Sequence, residues 1–135
     1  MSEVVKSRPR YGVMRLIDAT GYRLPLAGFV SILHRASGML MFLLLPFILY
    51  LLDKSLTSEV SFSVFKNFTS GGFVKLVILA LVWAYLHHFC AGIRHLFMDL
   101  HYGLDKDAAR KSAVGVLAVS IGLAALIGLK LFGVI

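Results

Sequence analysis

Three long apolar runs constrain this chain more than anything else in it: about 24–52, 72–100 and 112–134. Each holds at least the ~20 residues that a helix needs to cross ~30 Å of hydrocarbon. In lipid, an open segment satisfies its backbone N–H and C=O groups only as a helix. The expected fold class is therefore an all-α integral membrane protein with three transmembrane helices. Composition agrees: 59% of the 135 residues are hydrophobic, against ~45–50% for a soluble domain, so polar surface is too scarce to coat a globular exterior. The whole chain, 1–135, reads as one membrane-anchor domain. Three helices make a thin bundle, so a partner chain is expected to complete it.

Charge placement orients the chain. The net charge is +7, with Lys6, Arg8, Arg10, Arg15 and Arg23 ahead of the first run and Arg94, Lys106, Arg110 and Lys111 around the connection between the second and third. Only Lys54, Lys66 and Lys75 fall in the long segment between. This is positive-inside asymmetry, with a cytoplasmic N-terminus and second loop. It leaves no soluble basic face for nucleic acid. Residues 1–23 read as a polar cytoplasmic arm. Residues 53–71 mix polar groups with Phe62, Phe65 and Phe68, the pattern of an external loop carrying a short interfacial helix. Asp105 to Lys111 reads as a tight charged inner loop, with Asp105 or Asp107 favouring the next helix start. Pro46 is a candidate kink in the first span. The third span is rich in Gly and Ala, which let membrane helices approach closely. The lone Cys90 reads as a small apolar helix residue.

Two polar constellations sit inside these spans. The first is Ser31-Ile-Leu-His-Arg-Ala-Ser-Gly38. Ten Leu, Ile or Phe residues follow over Met39–Leu52; at ~0.3–0.6 kcal/mol each they offset the ~2.5–3.5 kcal/mol insertion cost of a central arginine. Ser31 and Arg35 share a helix face at i, i+4. A hydroxyl one turn from a guanidinium suits a carbonyl headgroup: the hydroxyl donates to an oxygen and the cation stabilises developing negative charge. The competing reading has Arg35 snorkelling to lipid phosphates and His34 packing at the interface.

The second is His87-His-Phe-Cys-Ala-Gly-Ile-Arg-His95. Ionisable groups at this depth call for a functional reason, and a redox cofactor supplies one. His88, Gly92, His95 and Asp99 fall on one helical stripe. A neutral imidazole at His88 suits the axial position of a haem iron, and Gly92 leaves room for a porphyrin edge. Arg94 and His95 lie where propionates would seek cations. His87, turned about 100° away, is a rival ligand on spacing alone, and a hydrogen-bonded packing role is open to either histidine. Asp99 is a candidate surface ion-pair partner for Arg94 or His95, and His101 reads as an exposed surface residue. No paired-cysteine metal motif, phosphate loop or nucleophile–base–carboxylate set is present in the sequence.

Both constellations resemble the signatures of one family, the cytochrome b556 subunits of succinate dehydrogenase. Ser31 to Gly38 resembles S-x-x-H-R-x-[ST]-G, and His88 to Asp99 resembles H-x-x-x-G-x-R-H-x-x-x-D. Order, spacing and the three-span layout match, and Arg8-Pro9 is similar to the family's N-terminal arm. The resemblance implies a membrane anchor of succinate:quinone oxidoreductase that is not an enzyme by itself. It implies a second small anchor subunit, an iron–sulfur subunit and a flavoprotein as partners, one haem b shared with a partner, and ubiquinone as substrate. His88 matches the haem axial ligand, Ser31 and Arg35 the quinone site, and His34, Arg35 and His95 positions near the propionates. His87 departs from the family pattern. The alternatives are a quinol:fumarate reductase anchor and a haem-free structural subunit. With no transit segment evident, a bacterial inner membrane is expected.

Overall fold

The computed structural model describes residues 23–134, together with Gly12, Ile17 and Gly21. The rest of the expected basic arm, including Arg8 and Pro9, lies outside the described residues. Among the described residues four long helices follow in order: α1 (Leu26–Thr57), α2 (Glu59–Ser70), α3 (Gly72–Asp99) and α4 (Lys106–Leu131). α1, α3 and α4 are each long and apolar enough to cross a membrane, so the chain is a multi-pass, all-helical membrane protein.

The helix ends have local causes. α1 starts after Pro25 and runs unbroken through Pro46; proline's missing N–H is tolerable in a spanning helix where neighbours compensate. It extends past the apolar run to Thr57 because Ser58 is the first strong stop. There the Ser58 hydroxyl accepts from the Ser61 N–H, and the Ser61 hydroxyl accepts from the Ser58 N–H, both at 3.1 Å. This reciprocal cap starts α2, the short helix expected between the first two spans. Gly71 alone separates α2 from α3. α4 begins at Lys106 rather than about 112. The Lys106–Lys111 segment expected as loop is its first turn and a half, since these are good helix formers that need not enter hydrocarbon. Asp105 takes the N-cap position without a side-chain bond, and Asp107 lies in the first turn.

Two helices end in the same motif. At α4, Gly133 is left-handed (φ 73°), and the N–H groups of Gly133 and Val134 return to the carbonyls of Lys130 and Leu129. At α3, His101 takes the glycine's place with φ 65°, and the N–H groups of His101 and Tyr102 return to Met98 and Phe97. The left-handed residue turns the chain so that orphaned carbonyls are satisfied.

The start of α1, the end of α3 and the start of α4 meet at one end of the bundle. Val30, Ala91, Ala113 and Val116 form a small buried cluster there, with Cys90 packed against it. Along α4 the buried positions are Ala113, Val116, Ser120, Ala124 and Gly128, a single stripe at helical spacing. Leu79 of α3 lies where a Cβ on Gly128 would sit 3.2 Å away. Ser120 is fully buried and its hydroxyl donates to the Leu117 carbonyl of its own helix. Ala124 and Gly128 thus act as the expected close-approach residues, whereas Gly115 and Gly122 face open space. Most large apolar side chains point outward, Phe42 and Phe73 being 74% and 79% exposed. Water would not tolerate this surface; lipid or a partner helix does.

Arg94 ties α3 to α4. It is buried, and its Nε donates to the Ser112 hydroxyl at 2.9 Å while a terminal nitrogen donates to the Ala109 carbonyl at 3.4 Å. The surface pair with Asp99 does not form; the Lys54–Asp53 contact is the one ion pair recorded among the described residues.

Two outcomes follow from these contacts. Ser112→Ala strands a buried guanidinium donor and is expected to cost about 1–3 kcal/mol, read as a lower thermal midpoint of the purified complex in detergent. An unchanged midpoint would remove the clamp from the account. His101→Gly relieves a left-handed Cβ and is expected to gain about 0.5–1 kcal/mol in the same assay; a lower midpoint contradicts it.

Candidate functional site

The polar residues of α1 and α3 meet where the two helices cross. His34-x-x-x-Gly38 on α1 and His88-x-x-x-Gly92 on α3 run antiparallel, and each glycine lies beneath the other helix's histidine. A Cβ on Gly38 would sit 2.8 Å from His88 Cε1 and 3.3 Å from its Nδ1. A Cβ on Gly92 would sit 3.5 Å from His34 Nε2. The two imidazoles stack, with centroids 4.2 Å apart and planes inclined by 20°. His95, two turns from His88, brings its ring to 5.0 Å from that of His34. His34 therefore lies between His88 and His95, in the gap that Gly92 opens. Gly92 makes room for an imidazole here.

Hydrogen bonding sets the state of His88. Its Nδ1 lies 3.0 Å from the His34 carbonyl oxygen and 3.3 Å from Ser37 Oγ. A carbonyl only accepts, so Nδ1 carries the hydrogen and donates to it. The Ser37 hydroxyl donates to the same carbonyl at 2.9 Å. In the neutral ring Nε2 then keeps its lone pair, and it has no hydrogen bond among the described residues. A neutral imidazole held through Nδ1 by a backbone carbonyl presents Nε2 in fixed orientation, the arrangement that metal-ligating histidines adopt. Among the described residues no group of three or more His, Cys, Asp or Glu is placed to hold a metal ion. What His88 can offer a metal is thus one bond from Nε2, with any other ligands coming from outside the described residues.

His87 lies in a different environment. It is 1% exposed and its ring sits 5.5 Å from that of Trp83. The Val30 backbone faces it, but neither ring nitrogen, nor Trp83 Nε1, completes a hydrogen bond among the described residues. The ring is almost wholly buried, and its one open side is a small apolar cavity of about 170 Å³ that it lines with Leu33, Leu40 and Trp83. His88 is half-buried. One turn beyond it, at Tyr85 and Met41, begins an open apolar groove of about 660 Å³ between α1, α2 and α3, lined also by Leu44, Phe65, Ile78 and Val82.

Ser31 and Arg35 lie on α1, on the Pro25 side and beside the cluster. Ser31 is half-buried and Arg35 exposed; neither has a hydrogen bond or ion pair among the described residues, so both polar groups are available. His95 Nε2 is buried and has no hydrogen-bond partner among the described residues. Of the sequence-derived candidates, His34, His88 and His95 are brought into ring contact, with Ser31 and Arg35 along the same helix. Arg94 is directed away, into its clamp with α4. Ser37 and Gly38 were not singled out by composition or charge. The signal that finds Gly38 is the repetition of His-x-x-x-Gly on two helices destined to cross; Ser37 has no such signal.

Comparisons with known proteins agree with this layout. The sequence model of the family described as "Succinate dehydrogenase/Fumarate reductase transmembrane subunit" matches residues 16–127. The succinate dehydrogenase cytochrome b556 subunit of Coxiella burnetii is 37% identical over 105 residues, covering 77% of this chain and 84% of that one. That of Paracoccus denitrificans is 34% identical over 105 residues, covering 78% and 81%. That of Rickettsia felis is 30% identical over 106 residues, covering 78% and 82%. With both polar signatures, the first two spans and most of the third inside the matched region, the chain belongs to the family of succinate dehydrogenase/fumarate reductase transmembrane subunits.

Proposed function

We propose that this chain anchors a succinate:quinone oxidoreductase in a bacterial inner membrane, gives one axial imidazole, His88, to a b-type haem, and contributes Ser31 and Arg35 to a ubiquinone site. The observation that carries the reading is the His88 Nδ1 bond to the His34 carbonyl, which leaves Nε2 as a lone-pair donor. The open apolar groove of about 660 Å³ starting one turn away suits a macrocycle, whereas the almost wholly buried His87 faces a cavity of only about 170 Å³, which argues against it as the ligand. The relatives named above carry "cytochrome b556" in their names, which supports a b-type haem and the succinate-oxidising direction. The second axial ligand comes from a second small anchor subunit. An iron–sulfur subunit and a flavoprotein dock on the end carrying Arg23, Arg35, Lys106, Arg110 and Lys111, taken as the cytoplasmic side with the N-terminus.

Succinate oxidation in the flavoprotein releases two electrons and two protons; one ubiquinone takes up two of each to become quinol. The bound haem supplies one-electron transfer beside this route. Ser31 donates its hydroxyl hydrogen to a quinone carbonyl oxygen, and so orients the ring. Arg35, one turn away, stabilises the negative charge that grows on that oxygen before protonation. His34 and His95 hold the polar end of the crossing, where propionates would accept from their ring N–H groups; the unpartnered Nε2 of His95 fits such an acceptor.

Ser31→Ala or Arg35→Ala removes one hydrogen bond to a developing charge and is expected to slow succinate–quinone turnover roughly 10- to 150-fold. Succinate oxidation with an artificial acceptor in the same preparation is expected to persist. Equal loss of both rates assigns these residues to structure instead. A reduced-minus-oxidised spectrum of the complex is expected to show a b-type α-band that His88→Ala abolishes; no band in the wild-type complex overturns the haem reading.

A further inference from the structure

We infer that Ser37 and Gly38 of α1 are positioning residues for the haem ligand of α3: Gly38 by the side chain it lacks, Ser37 by its hydroxyl. The inference rests on the haem reading of His88 and goes beyond it, because it locates the control of that ligand on the neighbouring helix. The steric part is direct. Real Cβ atoms essentially never approach another heavy atom as closely as the 2.8 Å that separates a Cβ on Gly38 from His88 Cε1. The conflict cannot be relieved by a flexible chain end, since the ring is held by Nδ1 to the carbonyl of His34 and stacked on the His34 ring. Any larger residue at 38 must rotate the imidazole, and Nε2 turns with it. The electronic part lies in the shared carbonyl. The His34 oxygen accepts from both Ser37 Oγ, at 2.9 Å, and His88 Nδ1, at 3.0 Å, while the direct approach of Ser37 Oγ to Nδ1 is longer, at 3.3 Å, and so the weaker influence. Two donors on one carbonyl weaken each other's bond. The serine thereby limits how strongly His88 is polarised and how basic Nε2 becomes.

The experiment uses the intact complex in membranes and after purification. In Gly38→Ala we expect the low-spin haem signature in absorption and electron paramagnetic resonance to be lost or converted to high-spin, while succinate oxidation with an artificial acceptor continues. In Ser37→Ala we expect full haem content and a midpoint potential below the wild-type value, because the freed carbonyl draws harder on Nδ1–H and the more basic imidazole favours ferric iron. A merely packing role for Ser37 would leave the potential unchanged. Wild-type spectra and potential in Gly38→Ala overturn the steric half. An unchanged or raised potential in Ser37→Ala overturns the electronic half, and decides the inference alone where Gly38→Ala fails to assemble. His88→Ala separates the two levels. Haem retained in that variant overturns the ligand assignment and this inference together; haem lost there, with Ser37→Ala and Gly38→Ala both normal, overturns this inference only.

Discussion

The exchange of imidazoles across the α1–α3 crossing is the contact on which the rest of the site depends. Two helices carrying ionisable groups must meet inside a membrane, where unpaired polar atoms are costly. The chain meets this constraint by giving each helix a glycine opposite the other's histidine. The backbones approach, the rings stack at 4.2 Å, and one backbone carbonyl of α1 serves a side chain of α3. The tautomer and direction of His88 are consequences of that closeness. With bulkier residues at 38 and 92 the same histidines would stand apart, each needing its own partner.

The remainder of the bundle keeps this crossing in register without adding a large core. The buried apolar residues are small: Val30, Ala84, Ala91, Ala113, Val116 and Ala124. Close approach of α4 along its small-residue stripe replaces the bulky interior of a soluble protein, which is sufficient where lipid is the solvent and packing drives association. At the basic end the Arg94 clamp fixes α4 against α3 just below the histidines. At the far end α2 folds back beside α1 under a serine capping box. The large outward apolar surface is what a chain built to be covered by lipid and by a second anchor would present.

The sequence makes parts of this arrangement legible for specific reasons. His88, Gly92 and His95 recur at helical spacing, so their common stripe can be counted from the residues. His34 and Gly38 carry the same spacing, so one face of α1 can be read too. Ser37 is harder to find, because a hydroxyl within a helix ordinarily bonds its own turn, and its second contact exists only when α3 arrives. Arg94 misleads for a related reason. Its neighbours in sequence suggest a propionate or Asp99, while its actual acceptors lie on α4. The extra turn and a half at the start of α4 escapes a hydropathy reading because those residues are polar although helical.

Residue order by itself determined that this is a three-span membrane protein, which faces of α1 and α3 carry polar chemistry, and the family to which the chain belongs. These depend on hydrophobic length and helical periodicity, both local properties of a chain in lipid. Tertiary structure decided which of two adjacent histidines is half-buried and which is almost wholly buried, which nitrogen of His88 faces the His34 carbonyl, and where Arg94 spends its charge. Each of those turns on atoms contributed by a different helix, at distances that no spacing along one helix contains.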